Sequence, residues 1–123
     1  MTRTGYSGAE TRIVDLLDPH AEIVLHQANE MQYRDEYTEA VRIYDQVLLM
    51  NPRHAKALHS KGDALDMLGR YDEAISCYES ALTFDPSNAE TWYNKGATLQ
   101  KMGHENDASE CMRRGISIAI GKQ

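Results

Sequence analysis

The chain is written on a step of 34 residues. Pro52 and Pro86 stand one step apart, Ala40, Ala74 and Ala108 repeat on it, and Tyr44, Tyr78 and Met112 do the same. Gly62 and Gly96 keep the step with Ala28 before them, as do Cys77 and Cys111 with Ile43 before them. Tyr37 pairs with Tyr71 and Gly69 with Gly103. No gap is needed, so three units follow: 21–54, 55–88 and 89–123, the last carrying one residue beyond the step. A period of this length means stacked units, because one unit cannot bury its own apolar face and about three are needed to enclose a core.

Each unit reads as two helices. In the second, Leu58, Gly62 and Leu65 fall at steps of four and three, one stripe of a helix. Gly69 then stands where a left-handed residue ends that helix. Ala74, Tyr78, Ala81 and Leu82 share a face of the next. The spacing predicts helix starts at Asp18–Pro19, Asn51–Pro52 and Asp85–Pro86, with Asp or Asn as N-cap and Pro in the first turn. The first of these is one residue out of phase. Gly62, Gly96 and the repeated alanines predict close approach of paired helices, where a larger side chain would overpack.

These residues resemble the tetratricopeptide repeat, TPR, whose signature is W-x2-L-G-x2-Y, then A-x3-F, then P. The third unit reads Trp92-x2-Lys95-Gly96-x2-Leu99, then Ala108-x3-Met112. The second reads Leu58-x2-Lys61-Gly62-x2-Leu65, then Ala74-x3-Tyr78, then Pro86. The first reads Val24-x2-Gln27-Ala28-x2-Met31, then Ala40-x3-Tyr44, then Pro52. The resemblance covers 21–122, and "WYNKG" at 92–96 is similar to a prokaryotic form of the repeat. It implies an all-α, right-handed α-solenoid of three helix-turn-helix units. Gln27, Lys61 and Lys95 stand where Leu is usual, and their stems are expected to cover the core edge while the polar heads reach water. The third unit ends in Ile120 instead of Pro, and Glu105 replaces the earlier tyrosines.

Stacking leaves two terminal faces. Ile13, Val14, Leu16 and Leu17 predict a short capping helix over 9–20, after a frayed 1–8 rich in Gly, Ser and Thr. At the other end Ile116, Ile118 and Ile120 lack a following helix to meet. Two readings stand: they tuck onto their own unit, or they pair with another copy in a homo-oligomer.

Function classes narrow by exclusion. A net charge of −6 argues against non-specific binding to nucleic acid or an anionic membrane surface. The longest apolar runs, such as "VLLM", are too short to span a bilayer, and the N-terminus shows no apolar signal segment. The expectation is a cytoplasmic chain. Two cysteines at equivalent places on neighbouring helices read as an apolar ladder with Ile43, since packed helices lie about 8–10 Å apart and a disulfide needs closer Cα atoms. No phosphate-binding loop, nucleophile elbow or dinucleotide fingerprint is present. The five histidines are scattered without a ligand spacing. Asp72, Glu73 and Asp107 begin second helices, where negative charge suits the helix terminus. No enzyme, metal or cofactor is expected.

The resemblance implies that first helices line a concave groove for a protein or peptide partner. Carried over by spacing, the first unit gives it Glu22, Leu25, Asn29, Gln32 and Tyr33. The second gives Lys56, His59, Asp63, Asp66 and Met67, and the third Glu90, Tyr93, Ala97, Gln100 and Lys101. Some family members clamp a chaperone's C-terminal carboxylate with lysines, asparagines and an arginine. Here those places hold Leu25, Asn29, Ser60, Glu90 and Asn94, of which only Asn29 matches, so that partner is not expected. The four carboxylates, with Tyr33 and Tyr93 as anchors, predict a peptide or helix with apolar anchors and basic character, bound to an adaptor or scaffold.

Overall fold

The computed structural model describes residues 19–121. Within them the chain forms six helices and no strand. They are α1 (Pro19–Tyr33), α2 (Tyr37–Met50), α3 (Ala55–Met67), α4 (Tyr71–Phe84), α5 (Ala89–Lys101) and α6 (Glu105–Ala119). The expected frayed end over 1–8 and the capping helix over 9–18 lie outside the described residues. Positions 19 and 20 open α1.

Helices pack most closely in the pairs α1–α2, α3–α4 and α5–α6, and each second helix then packs on the next first helix. The first helices α1, α3 and α5 also touch along the stack, whereas among the described residues the second helices do not touch one another. First helices therefore line the inner side of a curved, all-α solenoid, and second helices form its outer side.

The small residues work as expected. A Cβ at Gly62 would sit 2.7 Å from Tyr78 Cε1, and one at Gly96 would sit 2.7 Å from Met112 Cγ and 2.9 Å from the Ala108 carbonyl oxygen. Ala40 and Ala74 are fully buried, and Tyr44 and Tyr78 nearly so. The turn inside each unit closes by one device. Gly69 and Gly103 take φ of 77° and 86°, and the next residue's N–H bonds back across the helix end, Arg70 to Leu65 and His104 to Leu99, each at 2.9 Å. In the first unit Asp35 holds this place at φ 61°, a backbone region few residues other than glycine adopt.

The expected cap positions need correction. Asn51 and Asp85 close the preceding helices, donating their N–H groups to Val47 and Ala81. The N-caps are His54, whose Nδ1 accepts from the Ala57 N–H at 3.2 Å, and Asn88, whose Oδ1 accepts from the Thr91 N–H at 3.0 Å. Pro52 and Pro86 lie in the turns between, and Pro19 heads its helix.

Lys61 and Lys95 cover the core edge and reach back to the previous unit, pairing with Asp45 at 2.7 Å and Glu79 at 3.4 Å. Gln27 departs from the expectation: it is exposed, with no described second helix ahead of it to cover. Ile43, Cys77 and Cys111 form the expected ladder, buried along its length, and burial pushes both free thiols up. Ile118 is half-buried, while Ile116 and Ile120 are exposed.

Candidate functional site

The inner face is built from five rows, each repeating on the 34-residue step. Its first row, Glu22, Lys56 and Glu90, is exposed at the start of the first helices. Glu22 Oε2 lies 3.1 Å from His54 Nε2, a tie between α1 and the cap of α3.

The second row is uneven. Leu25 is 3% exposed and belongs to the core, so the expectation that it lines the groove is corrected: its side chain packs among Val24, Ala28 and their neighbours. His59 is also buried. Its Nδ1 lies 2.7 Å from Thr91 Oγ1, and its Nε2 lies 3.1 Å from Asp63 Oδ2 and 4.0 Å from Glu90 Oε2. Burial opposes a charge on this ring, but the hydrogen bond and charge of Asp63, with Glu90 behind, outweigh it and raise its pKa. Only Tyr93 of this row stands open, 46% exposed.

The third and fourth rows form the floor. Asp63 accepts from the Tyr78 hydroxyl at 2.5 Å and the Asn94 amide at 3.1 Å. Asp66 accepts from Thr98 Oγ1 at 2.6 Å and Lys101 Nζ at 2.6 Å. In the first unit the Tyr44 hydroxyl lies 2.6 Å from Asn29 Oδ1 and 2.7 Å from Gln32 Oε1. It has one proton to give, so one of these amides must turn its NH₂ group toward it. Burial pushes the Tyr44 hydroxyl up to about 12, and burial with the Asp63 charge pushes Tyr78 up further. In the third unit the same pair of places holds Met112 and Ala97, and no such bond forms. Gln100 is exposed at the rim.

The fifth row is apolar toward the N-terminal end. Tyr33 is 88% and Met67 57% exposed, and Lys101 is turned onto Asp66 with the Tyr71 ring 5.9 Å away. Two concavities open on this face. One, of about 330 Å³, is lined by Gln32, Tyr37, Met67, Ala97 and the Asp63–Asp66 floor; the other, of about 420 Å³, lies among Lys56, His59, Ser60, Asn88 and Glu90.

All four carboxylates expected to attract a basic partner thus have a partner within the chain: Asp63 and Asp66 through the hydrogen bonds above, Glu22 with His54, and Glu90 at 4.0 Å from His59. Sequence reasoning missed Tyr78, Asn94 and Thr98, which bond Asp63 and Asp66, and Thr91, which bonds His59. One signal was present, since hydroxyl-bearing Tyr44 and Tyr78 recur with Asn29 and Asp63, and Met112 with Ala97, all on one step. Among the described residues no three His, Cys, Asp or Glu side chains group as metal ligands would, and no helix is long and apolar enough to cross a membrane.

Paired helices in register around a grooved inner face define a helical-repeat protein. Models described as TPR repeat or tetratricopeptide repeat match residues 62–103, 43–76 and 89–119. The chain belongs to the tetratricopeptide-repeat family. No curated protein sequence matches it at a significant level. Among solved structures it is similar to the Sgt2 TPR domain from Aspergillus fumigatus, at 24% identity and a TM-score of 0.80, over 84% of this chain and 68% of that one. It is similar to the second TPR of Spaghetti (RPAP3) bound to the HSP90 peptide SRMEEVD, at 17% identity and a TM-score of 0.77, over 80% of this chain and 91% of that one. It is also similar to MamA, at 20% identity and a TM-score of 0.77, where 80% of this chain spans 58% of the other. At these identities the likeness is one of fold.

Proposed function

We propose that the chain is a non-catalytic, cytoplasmic adaptor or scaffold that holds a segment of a partner protein on the inner face of α1, α3 and α5. The observation that carries this reading is the contrast between floor and rim. The polar floor is saturated by its own hydrogen bonds, while Tyr33, Met67 and Tyr93 stand exposed above it. Exposed aromatic and methionine side chains over a satisfied floor suit an apolar-faced helix or extended peptide, and Tyr is a favoured anchor. Unpaired, buried thiols fit a reducing compartment. The RPAP3 domain of similar fold is bound to a peptide, which supports a peptide-like partner for this chain. A carboxylate-clamped tail fits this chain poorly, because positions 25, 29, 60, 90 and 94 include no Lys or Arg.

The test is capture from lysate by wild type and by a Tyr33→Ala/Met67→Ala/Tyr93→Ala variant, followed by titration of the captured partner. All three side chains are exposed, so the variant keeps its circular dichroism and unfolding midpoint. Its affinity should fall at least about tenfold, as expected when anchors worth over 1 kcal/mol are truncated. Equal affinity for both forms would remove the inner face as the binding site.

A further inference from the structure

One junction of the stack is apolar where the next is titratable. Between α1 and α3, the places one step before His59 and Thr91 hold Leu25 and Ala57, both buried and unable to carry charge. Between α3 and α5 the same two places meet as a hydrogen bond, His59 Nδ1 to Thr91 Oγ1 at 2.7 Å, with both side chains buried. Asp63 and Glu90, 3.1 Å and 4.0 Å from Nε2, stand where the first junction has Asn29 and Lys56. Lys56 and Asp85 share the 420 Å³ concavity with His59, and the Tyr78 ring of α4 lies 5.9 Å from the imidazole. Among the described residues α1 offers His59 no ion pair.

The proton count at this ring decides how well it ties the two helices. A charged imidazole donates from both nitrogens, to Asp63 on its own helix and to Thr91 across the junction. A neutral one has a single proton. If that proton stays on Nε2 for Asp63, the bond to Thr91 survives only when the buried hydroxyl turns to donate, and the attraction to Asp63 and Glu90 goes with the charge. These two carboxylates favour the charged form over the opposing effect of burial. His54, at the first junction, is built differently. Its Nδ1 accepts from the Ala57 N–H, so a neutral ring with its proton on Nε2 already makes that bond and the one to Glu22.

The third unit also leans on the junction more than the others do. Its buried cluster is Leu99, Ala108 and Cys111, whereas one larger cluster runs through the first two units from Val24 to Tyr78. In a stack each unit is held by its own packing and by its interfaces, so a unit with a small core opens when its interface weakens. From this arrangement we infer that His59 is a pH-sensitive latch. Charged, it holds α5 and α6 on the second unit; neutral, it lets the third unit open while the first two stay folded. The latch goes beyond the inner-face reading and stands whether or not that face holds a partner.

Amide hydrogen exchange of the 123-residue chain tests it, with protection corrected for the intrinsic effect of pH. NMR titration of the His59 ring locates the two conditions, one below and one above its pKa. On going from the lower to the higher pH, wild type should lose protection over α5 and α6 at least about threefold more than over α1 and α2, which open through their own junction. His59→Gln, which stays neutral, should show no such difference. Glu90→Gln changes an exposed side chain and leaves the fold intact; it should shrink the difference and lower the ring's pKa. The inference is overturned if protection in wild type falls alike over both pairs of helices, if it does not fall at all, or if His59→Gln repeats the wild-type response.

Discussion

Asp63→Ala separates a groove ligand from a structural tie. The carboxylate accepts from the hydroxyl of Tyr78, a side chain 1% exposed, and stands 3.1 Å from the buried His59 ring. Truncation removes the acceptor of the Tyr78 hydroxyl, at a cost of about 1–3 kcal/mol for a buried donor left unmet. His59 loses the partner that favours its charge, and Asn94 an acceptor that solvent can partly replace. Together these place the loss at about 2–4 kcal/mol, or a melting temperature lower by roughly 10 °C for a chain of this size. Urea unfolding followed by circular dichroism reads it. Tyr78→Phe should cost less, because it removes the donor without stranding one. The Asp63–Tyr78 double-mutant cycle should return a coupling of at least about 1 kcal/mol. If Asp63→Ala unfolds within about 0.5 kcal/mol of wild type, Asp63 is an ordinary solvated residue of the inner face and the assignment of the floor is wrong.

Two further outcomes follow from the packing and the charge. Gly62→Ala drives a methyl group into the Tyr78 ring and should destabilise by about 1–3 kcal/mol, read from the urea midpoint; an unchanged midpoint would show that the ring yields freely. The raised pKa of His59 makes its charged form stabilising: the contribution is complete below the unfolded-state pKa and is lost as pH rises through the folded one. Stability relative to His59→Gln should therefore decline as pH rises above the ordinary histidine value of about 6.5 and through the folded-state pKa, and a parallel pH dependence of the two proteins would remove His59 from the account.

The architecture was legible because packing wrote it redundantly. Gly62 and Gly96 had to be small for Tyr78 and Met112, and Gly69 and Gly103 had to accept a left-handed backbone, so each constraint left the same letter on the same step. The turns between units were misread because Asn51 and Asp85 are acceptable residues at either end of a helix; which N–H groups His54 and Asn88 would reach depends on a loop path that no local preference fixes. The inner face was half legible. Its row spacing follows from helix geometry, but whether a carboxylate faces solvent or a neighbour depends on side chains a whole unit away. Asp66 is occupied by Thr98 and Lys101, more than thirty residues downstream, and Leu25 packs into the core beside Val24 and Ala28 while Tyr93, two steps on, stays exposed.

The two sides of the solenoid differ in what resists bending. On the outer side, alternating second and first helices are packed as bulk, through Val47, Ala57, Ala81 and Leu82. On the inner side α3 and α5 barely touch and are laced by separate polar stitches: His59 to Thr91, Asp63 to Asn94, and Asp66 to Thr98 and Lys101. The second and third units are thus joined on the inner side by individual side-chain bonds, each of which water or a guest's own donors and acceptors could replace, and on the outer side by buried apolar packing.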